Sequence, residues 1–245
     1  MTREWPPQAP AGREVLLSLP FSGRWLAQNS PARRVPSHGT DLLGGRYAID
    51  FVGVDDRGRT AGTRDWRTLV STEPPGRFYA YGRPILAPGA GVVVQVHDGE
   101  DDHAARRSQL TLAGYALGQA ARLREGVAAI AGNHIVLALE QTGTYVGLAH
   151  LRLGSLRVAV GDRVRTGERL ADCGNSGNST QPHVHVQVMD SPDLRLARGV
   201  PMAFRRFREW PSAAGRPRIR DHGMPEEGAV VEPFPVLEGG HGPAG

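Results

Sequence analysis

The chain has 245 residues, a formal net charge of +4 and a calculated isoelectric point near 9.8, and all 29 of its basic residues are arginines. The arginines are scattered among acidic residues and form no basic stripe interleaved with aromatic side chains, which argues against a nucleic-acid-binding protein. The single cysteine, Cys173, excludes an internal disulfide and a thiolate metal cluster within one chain, so a metal site would need histidine and carboxylate ligands.

The first residues, MTREWPPQAPAG, carry no apolar stretch of signal-peptide length. No window of the chain reaches the ~20 apolar residues that a membrane helix needs. We therefore expect no membrane span, and cytoplasmic residence by default.

Short apolar runs separated by glycine and proline dominate the chain, which contains 32 glycines and 19 prolines. This pattern favours many short strands over long helices and indicates an all-β fold. In chain order, we predict strands at residues 14–19, 47–52, 91–97, 134–140, 144–151, 156–160, 169–173 and 183–189. The Gln-Thr-Gly sequence between the fourth and fifth of these strands predicts a hairpin, with Gly143 at the turn position that needs a positive φ.

Two segments depart from this pattern. Residues 103–131 are rich in alanine, leucine and arginine, with apolar side chains at three- and four-residue steps, which predicts an amphipathic helix. Because it interrupts a series of strands, we interpret this helix as an insertion that covers part of a sheet or, alternatively, closes over a site as a lid. Residues 213–228 and the tail after Pro233 are rich in glycine, proline and charge, and we expect peripheral, extended or disordered structure there.

Polar and apolar residues alternate strictly in HVHVQV, residues 183–188. In a strand, His183, His185 and Gln187 would therefore share one face, while the valines take the opposite face. A hydrolytic zinc site needs three ligands from histidine, aspartate or glutamate and one open position. We select His185, Asp50 in the otherwise apolar run 47–52, and His38 in the loop before that run. Taken alone, Asp50 is also compatible with a core carboxylate paired with Arg46.

Two further histidines are candidates for catalysis. Hydrolysis of a peptide bond by metal-activated water requires a base for that water and a donor that stabilises the oxyanion. His150, at the end of a predicted strand, and His183, beside His185, are available for these roles. An isolated histidine at a strand end is more often structural, and we predict that kind of role for His134, as a partly buried, non-catalytic residue.

The segments GNHIVL (132–137), TYVGLAHL (144–151), VGDRVRTGERL (160–170), GNSGNST (174–180) and HVH (183–185) resemble, in this order, the core of the lysostaphin-type (LytM-like) zinc endopeptidases. The resemblance covers residues 84–189, apart from the helical insertion. It implies a curled antiparallel sheet or small β-sandwich, the duplicated hybrid motif, with the inserted helix at residues 103–131. Its domains would be N-terminal strands at residues 1–37, a peptidase domain at 38–190 and a partly irregular C-terminal extension at 191–245.

The resemblance also implies a function and roles for the site residues. Asp50 and His185 would bind Zn²⁺, and His150 and His183 would be catalytic, in an endopeptidase acting on peptidoglycan cross-bridges or stem peptides. The family's usual first histidine ligand lies four residues before the aspartate, where this chain has Arg46. We therefore predict that His38 replaces it. The alternative is a catalytically inactive module that binds cell-wall peptides or a partner protein. A lipoyl or biotinyl carrier domain is excluded because the chain contains no lysine.

Overall fold

The computed structural model describes residues 14–62, 72–105, 126–211 and 215–234. Its strands are β1 (Val15–Leu17), β2 (Trp25–Gln28), β3 (Ile49–Gly53), β4 (Pro84–Leu86), β5 (Gly91–His97), β6 (Asn133–Leu139), β7 (Tyr145–Leu151), β8 (Arg163–Val164), β9 (Arg169–Asp172), β10 (Val184–Met189), β11 (Met202–Trp210), β12 (Arg218–Gly223) and β13 (Val230–Pro233). One short α-helix, α1 (Val127–Ala131), and two 3₁₀ helices, Leu42–Tyr47 and Pro75–Arg77, complete the described elements. None of the described helices is long and apolar enough to cross a membrane.

Eleven strands form one large sheet in the order β1-β11-β13-β2-β3-β10-β7-β6-β5-β8, with β12 paired to β11. All its pairings are antiparallel except that of β1 with β11. The remaining strands, β4 and β9, form a separate antiparallel pair. Over the described residues the large sheet does not close on itself. The predicted all-β, largely antiparallel fold is confirmed.

One hydrophobic core joins the two sheets. It contains Ile85 from β4 and Leu170 from β9 together with apolar residues of the large sheet, so the small sheet packs on one face of the large one. Aromatic residues extend this core toward both ends of the chain. Phe51 on β3 contacts Phe21 and Phe204 edge to face, with ring centroids 5.0 and 5.4 Å apart. The N- and C-terminal strands are therefore part of the packing that holds β3.

Seven of the eight predicted strands correspond to β1, β3, β5, β6, β7, β9 and β10, and Gly143 has the predicted positive φ of 66°. The predicted strand at residues 156–160 is wrong. Leu156 and Val158 pack against the core, which explains the alternation, but Asp162 N–H donates to Ala159 O and turns the chain before a ladder forms. The nearby strand is instead β8. Strands β2, β4, β11, β12 and β13 were not predicted from the sequence.

The helix predicted for residues 103–131 lies largely outside the described residues. Its predicted start is wrong, because residues 103–105 are not helical and Ala105 pairs with Glu73 in an isolated bridge, whereas α1 lies near its predicted C-terminal end. Within the predicted peripheral segment 213–228, the described part contains the exposed strand β12 at the margin of the sheet. The tail after Phe234 is also outside the described residues. The domain boundaries at residues 37/38 and 190/191 stay predictions.

Candidate metal centre and active site

Asp50 lies at the centre of the site because β3 runs between β2 and β10. All five residues of β3 are buried, and Asp50 is 6 % exposed. In the antiparallel register of β3 and β10, Asp50 lies directly opposite His185, and opposite residues of neighbouring strands project from the same face. The Nδ1 atom of His185 is 2.9 Å from Oδ1 of Asp50. The sheet register thus brings together two of the three predicted ligands.

His38 reaches the same carboxylate from a loop. Its Nε2 atom is 3.0 Å from Oδ2 of Asp50. The 3₁₀ helix Leu42–Tyr47, which we call the ligand turn, folds the loop back because Leu43 and Gly44 have positive φ values of 55° and 79°. Ser37 N–H donates to Arg46 O and closes the loop across this turn. The loop therefore returns over the strand, and this return brings His38 to Asp50.

Arg46, which occupies the usual position of the first ligand, does not take part in this cluster. Its guanidinium donates to both carboxylate oxygens of Asp41, at 2.8 and 3.0 Å, on the exposed side of the loop. The alternative pairing of Asp50 with Arg46 is thus absent among the ion pairs of the described residues. The partners of Asp50 are instead histidines and Asn29, whose Nδ2 donates to Oδ2 of Asp50 over 2.7 Å.

The donor set fits a zinc ion. Ligand atoms of His38, Asp50 and His185 all lie within 4.8 Å of one another, and within the described ranges they form the group of histidine, cysteine and acidic residues that meets this spacing. Two imidazoles and one carboxylate are a usual catalytic zinc set, which leaves a fourth position for water or substrate. Burial of a carboxylate between two imidazoles would be costly without such a cation or protonated histidines.

The two candidate catalytic histidines face this cluster. The ring centroids of His150 and His183 are 4.6 Å apart, and those of His150 and His185 are 5.9 Å apart. His150 has a positive φ of 61°, which is uncommon for a residue other than glycine and marks a conformation held by its surroundings. The Nε2 atom of His183 is 3.6 Å from Oδ1 of Asp50. All five predicted site residues therefore lie in one cluster.

Backbone carbonyls orient both catalytic candidates. The Nδ1 atom of His150 is 2.9 Å from Ser176 O, and Nδ1 of His183 is 2.8 Å from Gln181 O. Because a carbonyl only accepts hydrogen bonds, each Nδ1 must carry a proton. The Nε2 atom of each neutral ring is then left as a proton acceptor. Neither Ser176 nor Gln181 was singled out from the sequence, since their role depends on the path of the loop before β10.

Contacts within the cluster shift the pKa values of several of its members in the metal-free protein. Burial alone would raise the pKa of Asp50, but electrostatic interaction with His38 and His183 and the hydrogen bond with His185 hold it well below its usual value. Burial opposes protonation of His185 as well, yet its contact with Asp50 raises the pKa. Burial lowers the pKa of His183, and burial together with repulsion from His183 and His185 lowers that of His150 strongly.

A cavity of about 540 Å³ opens over the cluster. It is lined by the glycine-rich loop 174–180, through Asn178 and Thr180, and by the end of α1. The ligand turn and Leu194 also line it. His134 also borders the cavity, and its ring nitrogens are bonded to Gly132 O and to the amide of Gln95; its non-catalytic role stays a prediction. A cavity of this volume, apolar apart from a few convergent polar groups, is typical of a ligand-binding site.

Residues 77–195 match the sequence model of the family described as Peptidase family M23. This segment belongs to peptidase family M23. The matched range includes His150, His183 and His185 but begins after His38 and Asp50, so the M23 segment contributes one of the three candidate ligands and both catalytic candidates. Family membership supports a peptidase, a hydrolase of peptide bonds, and the predicted LytM-like resemblance is confirmed.

Solved structures similar to this chain include three peptidases. The catalytic domain of lysostaphin from Staphylococcus simulans is 19 % identical over 73 % of this chain and 88 % of its own, with a TM-score of 0.37. The catalytic domain of the prophage-encoded M23 protein EnpA from Enterococcus faecalis, solved as a point mutant, is 21 % identical over 58 % and 81 % of the two chains, with a TM-score of 0.33. The deep-sea M23 metalloprotease pseudoalterin is 15 % identical over 78 % and 76 %, with a TM-score of 0.38.

Proposed function

We propose that the protein is a zinc-dependent endopeptidase that hydrolyses peptide bonds in peptidoglycan cross-bridges or stem peptides. The observation that carries this proposal is the convergence of His38, Asp50 and His185 on one point in the lining of a cavity, with His150 and His183 beside it. A binding module would have no need to bring five ionisable groups together at one point, because each of them costs free energy to desolvate.

Zinc held by His38 Nε2, Asp50 and His185 Nδ1 would supply Lewis-acid polarisation of a carbonyl and a lowered pKa for water. Side chains of the protein would carry out the proton transfers. In His150 and His183 the Nε2 atom is left without a proton, and their lowered pKa values keep both rings neutral near pH 7. A neutral imidazole accepts the proton of the attacking water, and the resulting imidazolium donates to the oxyanion or to the leaving amine.

The test uses zinc-reconstituted protein, purified peptidoglycan and synthetic glycine-rich bridge peptides, with new amino termini measured by mass spectrometry. We expect cleavage by the wild type and a loss of about 100-fold or more in His150→Ala and His183→Ala, because general acid–base groups contribute at this scale. Zinc content is measured on the same samples, since both variants should retain the metal.

Gln95→Leu is a matched control, because it removes the partner of His134, which lies outside the proposed machinery. Full cleavage by zinc-loaded His150→Ala would contradict the roles assigned here. Wild-type protein that binds peptidoglycan without cleaving it, and that still binds it after both histidines are removed, would support the alternative of an inactive binding module, which the replacement of the usual ligand by Arg46 favours.

A further inference from the structure

Two backbone carbonyls of the ligand turn, Leu42–Tyr47, accept hydrogen bonds from side chains that contact the metal cluster. Neither side chain was selected as a site residue from the sequence. Leu43 O accepts a hydrogen bond from Nε2 of Gln187, at 2.7 Å, and Gly45 O accepts one from Oγ of Ser37, at 3.4 Å. Both side chains are buried, with Ser37 1 % and Gln187 7 % exposed. Each is also in contact with a different candidate ligand histidine.

The amide of Gln187 has one orientation that satisfies its contacts. Because Leu43 O only accepts, the amide nitrogen must face it, which leaves Oε1 of Gln187 2.9 Å from Nε2 of His185. An amide oxygen also only accepts, so Nε2 of His185 must carry a proton. The nitrogen of His185 that remains for a metal is therefore Nδ1, the atom that faces Asp50.

Ser37 fixes the opposite arrangement in His38. Gly45 O, 3.4 Å from Oγ of Ser37, can only accept, and with the hydroxyl proton donated to it Oγ offers a lone pair to Nδ1 of His38, 3.0 Å away. The proton of a neutral His38 then lies on Nδ1, and Nε2 remains for a metal. Nε2 is the atom that faces Asp50. The two ligand histidines thus use different ring nitrogens, and each choice is explained by a carbonyl of the same turn.

We propose that Ser37 and Gln187 are positioning residues of the metal centre. Ser37 donates to Gly45 O and Gln187 donates to Leu43 O, and these hydrogen bonds orient the two side chains so that they hold His38 and His185, respectively, in opposite tautomers. This inference rests on the proposed function, because it concerns the same zinc site. It accounts for a ligand on a loop: His38 has no strand to fix its direction, and the turn that replaces the usual ligand motif supplies the missing restraint. Partners of this kind orient ligand imidazoles and typically change metal affinity by about 10–100-fold.

The test measures zinc affinity by competition with a chromophoric chelator in Ser37→Ala and Gln187→Leu. We expect each to weaken affinity about 10–100-fold. Gln187→Glu keeps an acceptor for His185 Nε2–H and should recover most of the affinity lost in Gln187→Leu. Gln95→Leu, which removes an amide from His134, and Ser155→Ala, which removes a hydroxyl bonded to Arg152 O, are matched controls expected to bind as tightly as the wild type.

A second readout is the position of the ring protons, measured by proton–nitrogen correlation spectra of zinc-loaded, ¹⁵N-histidine-labelled wild type. We expect the His38 proton on Nδ1 and the His185 proton on Nε2. The reverse placement in either ring, or unchanged zinc affinity in both folded variants, would overturn the inference while leaving the proposed function intact. Absence of zinc binding by the wild type would overturn both.

Discussion

At the scale of single residues, the site depends on how Asp50 is surrounded. Its carboxylate receives a hydrogen bond from Asn29 and lies 3.0 Å from Nε2 of His38 and 2.9 Å from Nδ1 of His185, with His183 slightly farther away. These contacts offset the free energy of burying a charge in a strand whose other residues are apolar. Replacement of Asp50 by a neutral residue would therefore leave several buried donors unpaired, in addition to removing a proposed ligand.

The pKa of His150 makes the stability of the metal-free protein depend on pH. In the unfolded chain the pKa of His150 is near 6.5, and in the folded protein it is well below that value because of burial and the neighbouring histidines. Between the two values the unfolded state binds more protons, so stability rises with pH and is lost as the pH falls from the unfolded pKa toward the folded one.

We expect the free energy of unfolding of metal-free wild type to fall more steeply from about pH 7 to about pH 5 than that of His150→Gln, by up to about 1.4 kcal/mol per pH unit. Urea unfolding at several pH values measures this difference. The raised pKa of His185 acts in the opposite direction but is common to both proteins, apart from its contact with His150. Identical pH dependences in the two proteins would show that His150 is not held neutral by burial.

At the scale of elements, the ligand turn is the part of the site most sensitive to backbone changes. Gly44 has a φ of +79°, and a Cβ atom added to it would lie 2.7 Å from Cγ of Met189. Left-handed backbone costs an ordinary residue about 1–2 kcal/mol, and overpacking adds about 1–3 kcal/mol. A side chain at this position would therefore push the turn away from β10, to which Gln187 ties it.

We expect Gly44→Ala to destabilise the metal-free protein by about 2–4 kcal/mol, measured by denaturant unfolding, and to weaken zinc binding because His38 is displaced. Gly39→Ala is the matched control. Gly39 lies in the same loop with a φ of +75°, but its added Cβ would approach no atom closer than 4.0 Å. This variant should lose only about 1–2 kcal/mol. Equal losses in the two variants would argue against close packing of the turn on Met189.

At the scale of the whole molecule, the M23 segment is completed by strands outside its matched range. The matched residues begin at 77, whereas His38 and Asp50 come from the loop and strand before them, between β2 and β4. Strand β3 pairs with β2 on one side and β10 on the other, and β2 pairs in turn with β13. Neighbours on both sides satisfy the ladder of β3 and fix its register, which keeps Asp50 opposite His185.

Much of the site followed from local sequence patterns. The period-two alternation of residues 183–188 predicted the shared face of His185 and Gln187, and an aspartate in an apolar run indicated a buried polar partner. His38 was selected as the histidine in the preceding loop, and the structure places it at Asp50. The metal-binding and catalytic roles of these residues remain proposals.

The remaining features depend on contacts between distant parts of the chain. Asn29, Ser37 and Ser176 act through partners set by sheet order and loop path, for which a single sequence carries no periodic signal. Strands β11 and β13 were missed because they pair with β1 and β2 from the opposite end of the chain, and residues 191–245 are rich enough in charge and glycine to resemble an irregular extension. Tertiary pairing thus outweighed local composition in this region.

The most direct test of the account is the zinc content of untagged, chelator-free protein after reconstitution, measured by elemental analysis for the wild type, Arg46→Ala and His38→Ala. We expect about one zinc per chain in the wild type and in Arg46→Ala, because Arg46 pairs with Asp41 outside the cluster, and loss of bound zinc in His38→Ala. Zinc retained in full by His38→Ala, or absent from the wild type, would contradict a metal centre built from His38, Asp50 and His185.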